Sequence, residues 1–400
     1  MSDKQNELIE ICSLFLGEER ARGAIFSDTS GGGSNLVYYV SFPAGIDTSR
    51  CHDGSVYEAG AGAMFINKKE YVLRLYHKGT SRKRVKAEHD VMTILRRNEN
   101  LTFTIPVPLP LITSVERETI SFLEHRQCFA AMLDFVEGSS PGINRFHFEV
   151  GKAAGQISRA LGEIAENTIE IESYGCMELW KAHHAVTRDV FYAFMAPREA
   201  GEFESVSMRG DADLIVDRVK SFEEEFIISS EGEGAVASLP SLDFNGLLPK
   251  QYIHGDLGFQ NFLNDVEGDG HVTAVLDFEH LNLEFRCMEL AISLGVYIDA
   301  PSPLSIFEVF IRGYMLHAEP LTMEECDALP TIIVYQQVRK IVKIVGKYIS
   351  NEYPKNKLFK DVLFSMLKRV KRIVWLESNS NNVVLLLKTI FFGSPRCPDP

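Results

Sequence analysis

No C-x-x-C pair occurs in this chain, and its 7 cysteines (Cys12, Cys51, Cys128, Cys176, Cys287, Cys326 and Cys397) are scattered and odd in number. That spacing excludes a disulfide framework and a cysteine-ligated zinc site; the cysteines read as small buried hydrophobes of a reducing compartment. A zinc site built on His254, Asp256 and Asp277 also fails, because no cluster of imidazoles at ligand spacing completes it. The opening MSDKQNELIE is polar and lacks the apolar stretch of a secretory signal. The longest apolar run near the end, VVLLLKTIFF, is too short to cross a bilayer and carries Lys388. Positive charge is in deficit: 41 Lys and Arg stand against 55 Asp and Glu, for a formal net charge of −14. Such a balance argues against nucleic acid as the main partner and is compatible with a cationic small molecule. Neither an internal repeat nor a heptad array is evident. The expectation is a cytoplasmic protein, monomer or homodimer, with no membrane or nucleic-acid partner.

What is present is a large apolar fraction. At 400 residues and 45% hydrophobic, the chain can bury an extensive core and favours two lobes over one. Residues 6–16 have helical spacing. AIFSDTSGGGSNLVYYVSF reads as strand, glycine turn, strand, and EYVLRLYHKG as a further strand. Residues 42–63 read as a surface insertion, 81–97 as a helix, and TIPVPLPLIT as extended chain. ISFLEHRQCFAAMLDFVEG gives two more strands around a turn at 124–127. After Gly138 the pattern turns helical, with candidates at 146–166, 177–194, 213–228, 303–317, 322–348 and 357–377. Thr322 with Glu325 fits a capping box. The fold class is therefore α+β: a small β-rich lobe with one main helix over residues 1–134, and a larger, mostly helical lobe over 135–400.

Inside the second lobe lies YIHGDLGFQNFLNDVEGDGHVTAVLDFEH, residues 252–280, with polar groups packed around two short apolar runs. Each such group buried alone would cost roughly a few kcal/mol. Phosphoryl transfer accounts for them. That chemistry needs a carboxylate to accept the proton of an attacking hydroxyl, and an amide and a second carboxylate to hold magnesium on the phosphates. A loop carrying Asp256 and Asn261, followed by a hairpin that returns Asp277, supplies this set. The spacing matches H-R-D-x-x-x-x-N followed by D-F-G in protein kinases, with Gly255 in place of arginine and Glu279 in place of the last glycine.

HGDLGFQNFL…VLDFEH resembles the aminoglycoside phosphotransferase and choline kinase superfamily. The later EFRCMELAISLGVYI is similar to type II homoserine kinases. The resemblance implies a bilobal protein-kinase-like fold and transfer of a γ-phosphoryl group from ATP, or alternatively GTP, with Mg²⁺, to the hydroxyl of a small molecule. It implies Asp256 as catalytic base and Asn261 and Asp277 as magnesium ligands. His254 would brace the catalytic loop, and Arg286 and Glu289 would tie the following helix to it. A non-catalytic nucleotide-binding relative is the alternative, and the presence of both Asp256 and Asp277 speaks against it.

The first lobe should then hold the nucleotide. Gly31, Gly32 and Gly33, with Ser34 and Asn35, form a turn whose backbone N–H groups can approach phosphates. Arg74 stands mid-strand where kinases place a phosphate-binding lysine; arginine keeps the charge and adds a fork. Glu88 lies on the apolar stripe of the next helix with Val85, Met92 and Leu95, where a carboxylate needs a partner. An Arg74–Glu88 ion pair is predicted, with Lys69 as the alternative cation. Backbone groups near Asp134, Phe135 and Val136 would contact adenine. Asp277 runs into the next helix within a few residues, which leaves no platform for a peptide acceptor. Glu279 and Asn282 are candidate acceptor-lining residues, and Trp180, His183 and His184 would join them only if the helices around them cover the site. Substrate candidates are a homoserine-like amino alcohol and, from the acidic balance, an aminoglycoside or choline-like cation.

Overall fold

The structure, a computed structural model, describes residues 2–29, 35–43, 70–171, 179–196, 206–226, 248–265, 267–353 and 358–393. Gly31, Gly32, Gly33, Ser34 and Lys69, and most of the expected insertion at 42–63, lie outside the described residues.

Helix α1 (Asp3–Leu16) buries Leu8, Ile11, Cys12 and Phe15, a stripe at helical spacing. Helix α2 (Glu18–Arg22) follows, and then an antiparallel sheet of β1 (Ile25–Asp28), β2 (Leu36–Ser41) and β3 (Glu70–Leu75). Helix α3 (Arg82–Arg96) leads to β4 (Ser121–Leu123) and β5 (Cys128–Asp134). The spatial order is β1-β2-β3-β5-β4. Alternation along β3 sends Tyr71, Leu73 and Leu75 into one core with α1, while Val72 and Arg74 point to the opposite face. Ser81 caps α3: its hydroxyl accepts from Arg84 N–H at 3.2 Å. The predicted stripe of Val85, Glu88, Met92 and Leu95 is buried.

The second lobe comprises α4 (His147–Gly162), α5 (Arg188–Met195), α6 (Val206–Phe226), β6 (Lys250–Ile253), β7 (Phe262–Asn264), β8 (Val272–Val275), β9 (Asn282–Phe285), α7 (Cys287–Tyr297), α8 (Pro303–Tyr314), α9 (Met323–Ile349) and α10 (Phe359–Phe392). β7 and β8 form the expected hairpin, and β6 pairs with β9 beside it. The capping box expected at α9 is present: Thr322 N–H donates to Glu325 and Glu325 N–H to Thr322 Oγ1.

Two helix expectations change. Residues 177–194 are not one helix. Leu179–Lys181 make a single 3₁₀ turn, and Thr187 caps a new start by accepting from Val190 N–H. The helix expected over 357–377 runs on to Phe392. Neither Gly nor Pro interrupts 359–392. Ser378 and Asn379 donate back to the Val374 and Trp375 carbonyls, so the polar ESNSNN stretch stays helical. Among the described residues no helix is long and apolar enough to cross a membrane.

Helices α4 and α8 meet backbone to backbone. A methyl group on Gly151, Gly155 or Gly313 would collide with the carbonyl of Phe310, Tyr314 or Phe148 respectively. Gly155→Ala is therefore expected to destabilise by about 1–3 kcal/mol. Gly210→Ala, in α6 with open space around it, should be neutral or slightly stabilising. Thermal melts of the two variants check this; equal midpoints would refute the close contact.

Candidate active site

Loop 254–261 leaves β6 and is held from several sides by named groups. Gly255 has φ +78°, and a Cβ there would strike the His280 carbonyl, so this turn requires glycine. Glu289, on the first turn of α7, accepts from His254 N–H. Ser293, one turn further, donates to the Leu257 carbonyl at 2.6 Å. His254 donates from Nε2 to the Leu276 carbonyl at 2.9 Å and accepts from Asp256 N–H at Nδ1, 3.4 Å away. Burial pulls its pKa down, so the ring is neutral and serves as the expected brace. Asn261 Nδ2 donates to the Asp256 carbonyl at 2.8 Å and lies 3.4 Å from its Oδ2. Asp256 thus projects, half-buried, from a loop whose backbone is pinned at both ends.

The hairpin brings Asp277 back beside this loop, with Leu276 N–H bonded to the Asn261 carbonyl at 2.9 Å. Asp277 takes φ +66°, a left-handed conformation uncommon outside glycine. Its Oδ1 accepts from Arg74 at 2.8 Å.

Arg74 binds three carboxylates. Nη1 reaches Glu88 at 2.8 Å, and Nη2 reaches Asp277 at 2.8 Å and Glu279 at 2.6 Å. The predicted Arg74–Glu88 pair is present, within a larger set. Tyr76 donates to the second Glu88 oxygen at 3.1 Å and accepts from His89, whose other nitrogen meets the Thr119 hydroxyl at 2.7 Å. Burial raises Glu88 to about 7 despite Arg74, and it lowers His89 to about 3, so that ring is neutral.

Several predicted residues stand elsewhere than expected. Asn35 does not reach toward open space: it accepts from His77 N–H and donates to Glu279. Glu279 is therefore part of the Arg74 set and not an acceptor wall, and Arg84 grips its carbonyl at 2.8 and 3.1 Å. Asn282 is buried in β9 opposite Ile253 and lines nothing open. Arg286 ties α7 to the start of α9 through Glu325 at 2.7 and 2.8 Å, instead of to the catalytic loop. Asp134 has its N–H on the Val107 carbonyl and its carboxylate on Val107 N–H, so its own N–H is already taken. Trp180 packs on Phe191 and Tyr192. His183 donates to Glu352 at 2.8 Å and accepts from Ala185 N–H, while His184 stacks on it. Sequence reasoning missed Tyr76, Arg84 and Ser293. Only Ser293 had a signal, its position one helical turn after Glu289.

The donor set fits magnesium. Asn261 Oδ1 and Asp277 Oδ2 are hard oxygens, and neither has a hydrogen-bond partner among the described residues. Three carboxylates surround one guanidinium, so the cluster lacks positive charge that a divalent cation would supply. Arg74 Nε is a buried donor without a partner, which suits an added phosphate oxygen.

Glu289 carries a testable signature. Burial lifts its pKa from 4.5 to about 8; the backbone N–H groups of the loop pull against that, and Asp256 adds to it. A raised carboxyl pKa gives stability that is full below about 4.5 and lost as pH rises through about 8. Glu289→Gln, which mimics the protonated form, is expected to match wild type near pH 5 and to exceed it in melting temperature by pH 9. A gap that moves the other way with pH would show the carboxylate ionised throughout.

The phosphotransferase enzyme family matches residues 30–326, most of the chain. No curated protein matches it in sequence. Solved structures share its fold at low identity. A microcompartment-associated aminopropanol kinase is 12% identical with a TM-score of 0.59, covering 96% of this chain and 99% of that one. A Plasmodium vivax ethanolamine kinase is 13% identical with a TM-score of 0.55, covering 92% and 88%. An amicoumacin kinase in complex with AMP-PNP, Ca²⁺ and Ami is 13% identical with a TM-score of 0.54, covering 93% of each. The architecture is the protein-kinase-like one that the H-G-D and D-F motifs implied, and the chain belongs to the phosphotransferase enzyme family.

Proposed function

We propose that this protein transfers the γ-phosphoryl group of Mg-ATP to a hydroxyl of a small molecule. The observation that carries the reading is the convergence of Asp256, Asn261 and Asp277, with Arg74 bonded to Asp277 at 2.8 Å. Asp256 accepts the proton of the acceptor hydroxyl as its oxygen forms the new bond to phosphorus. The bond from phosphorus to the bridging oxygen breaks, and ADP leaves with that oxygen. Asn261 Oδ1 and Asp277 would hold magnesium, which supplies charge neutralisation on the phosphates. Arg74, aimed by Glu88, serves the phosphates, and the backbone of Phe135 and Val136 serves adenine. Asn261 also orients Asp256 through its amide, so base and metal side share one residue. The aminopropanol and ethanolamine kinases of similar fold are in keeping with a small acceptor. So is the short path from Asp277 to α7, which offers no peptide platform.

Mg-ATP should raise the melting temperature, and less so in Asp277→Ala. Asp256→Asn should leave Mg-ATP affinity near wild type and cut turnover by roughly 10²–10⁴-fold. Calorimetry with no nucleotide binding, with or without magnesium, would end the kinase reading. A fully active Asp256→Asn would remove Asp256 from the mechanism.

A further inference from the structure

The oxygen of Glu88 that does not touch Arg74 belongs to a longer chain of contacts. Tyr76 donates its hydroxyl proton to Glu88 Oε2 at 3.1 Å. The same hydroxyl lies 3.1 Å from His89 Nε2, and His89 Nδ1 lies 2.7 Å from the Thr119 hydroxyl. Tyr76 N–H bonds to the Phe129 carbonyl at 2.9 Å, so the pairing of β3 with β5 continues one residue past the strand. Tyr76 therefore shares a face with Arg74. Arg74 Cζ stands 5.0 Å from the centre of its ring. Glu88 and His89 are consecutive on α3 and both are buried. Val85, Ile120 and Ala131 pack with Tyr76, and half-buried Thr119 ends the chain just before β4.

A count of protons fixes the direction of these bonds. Ionised Glu88 only accepts, from Arg74 at Oε1 and from Tyr76 at Oε2. Tyr76 has one proton and gives it to Glu88, so toward His89 it accepts. His89 Nε2 must then carry the ring proton, and Nδ1 must accept from the Thr119 hydroxyl. Burial lowers His89 to about 3, which keeps the ring neutral with that single proton. Every donor points the same way, toward Glu88, and bonds aligned head to tail polarise one another.

The chain bears on Arg74 because that side chain is drawn to two sides. Nη1 reaches Glu88, whereas Nη2 reaches Asp277 and Glu279. A Glu88 held only at Oε1 would turn about its last bond, and the guanidinium would follow it. Bonded at both oxygens, the carboxylate keeps one plane, and the planar fork bonded to it keeps one heading. Apolar neighbours exclude water from Glu88 but do not fix that rotation.

We infer that Tyr76 and His89 are positioning residues of the phosphate site: they fix the Glu88 carboxylate and, through it, the aim of Arg74 at the phosphates of the nucleotide. This rests on the phosphotransferase reading and deepens it, since both residues act through Glu88.

The test begins with the full wild-type chain and no ligand. Nitrogen-15 spectra of histidine-labelled protein at pH 8, above the value of about 7 for Glu88, should show His89 as the neutral Nε2–H form, its signal assigned by its loss in His89→Gln. An Nδ1–H or a charged ring would break the chain and overturn the inference. Calorimetric titration with Mg-ATP then separates the roles. Tyr76→Phe keeps the ring beside Arg74 and removes only the hydroxyl; it should weaken Mg-ATP binding about ten-fold, the worth of one hydrogen bond to a charged group. His89→Leu should match that loss. The double variant should bind no more weakly than Tyr76→Phe alone, because His89 acts only through Tyr76. His89→Gln, which restores a donor near the Nε2 position, should recover most of the affinity. Unchanged Mg-ATP affinity in Tyr76→Phe, or additive losses in the double variant, would overturn the positioning role and leave the kinase reading intact. A wild type that binds no Mg-ATP would end the kinase reading, and the positioning role with it, whatever the tautomer of His89.

Discussion

The Arg74 guanidinium is the contact on which the arrangement of the two lobes depends. It leaves β3 on the face opposite the α1 core and meets, at once, Glu88 of α3 and Asp277 and Glu279 of the segment after β8. Of the three apolar clusters, one is built on α1 and the sheet and a small one on Tyr76, Val85, Ile120 and Ala131, while the largest, on the helices of the second lobe, also takes in Ala87, Val91, Met92 and Leu95 of α3 and Leu133 of β5. To that apolar contact between the lobes the Arg74 set adds a polar and directional one. Asn35 and Arg84 add to it, both through Glu279. A non-directional apolar contact could slide; a forked cation with three fixed acceptors specifies where β3 stands relative to Asp277.

That network is also out of balance. Glu88 is pushed up to about 7, first by burial, and Asp277 and Glu279 oppose the relief that Arg74 gives. Replacing a buried ion set with apolar groups is often neutral or stabilising, so stability alone does not explain its presence. A divalent cation held by Asn261 and Asp277, as proposed above, would relieve that imbalance.

How much of this was legible in the sequence follows from which interactions are local. Loop 254–261 and the hairpin were readable because Asp256, Asn261 and Asp277 fall within one short stretch whose turns are marked by Gly255 and by Asp269-Gly270. The Arg74–Glu88 pair was readable from alternation in a strand and helical spacing in the next element. Asn282 and Arg286 were misplaced because strand pairing of β9 with β6 and the reach of Arg286 to Glu325 join residues far apart in sequence.

The same distinction limits what net charge says about the site. A charge of −14 is a sum over the whole chain, and the interaction between distant exposed groups is screened. At the site, burial weakens that screening, and the nearest groups decide the field. What geometry does fix is the position of Asp256. Loop 254–261 is pinned by Glu289, Ser293 and Asn261, so Asp256 projects from a backbone held at both ends. Leu276 N–H, bonded to the Asn261 carbonyl, sets the strand that leads to Asp277 against the same loop, and the two carboxylates are positioned by backbone bonds that do not depend on the sum of charge.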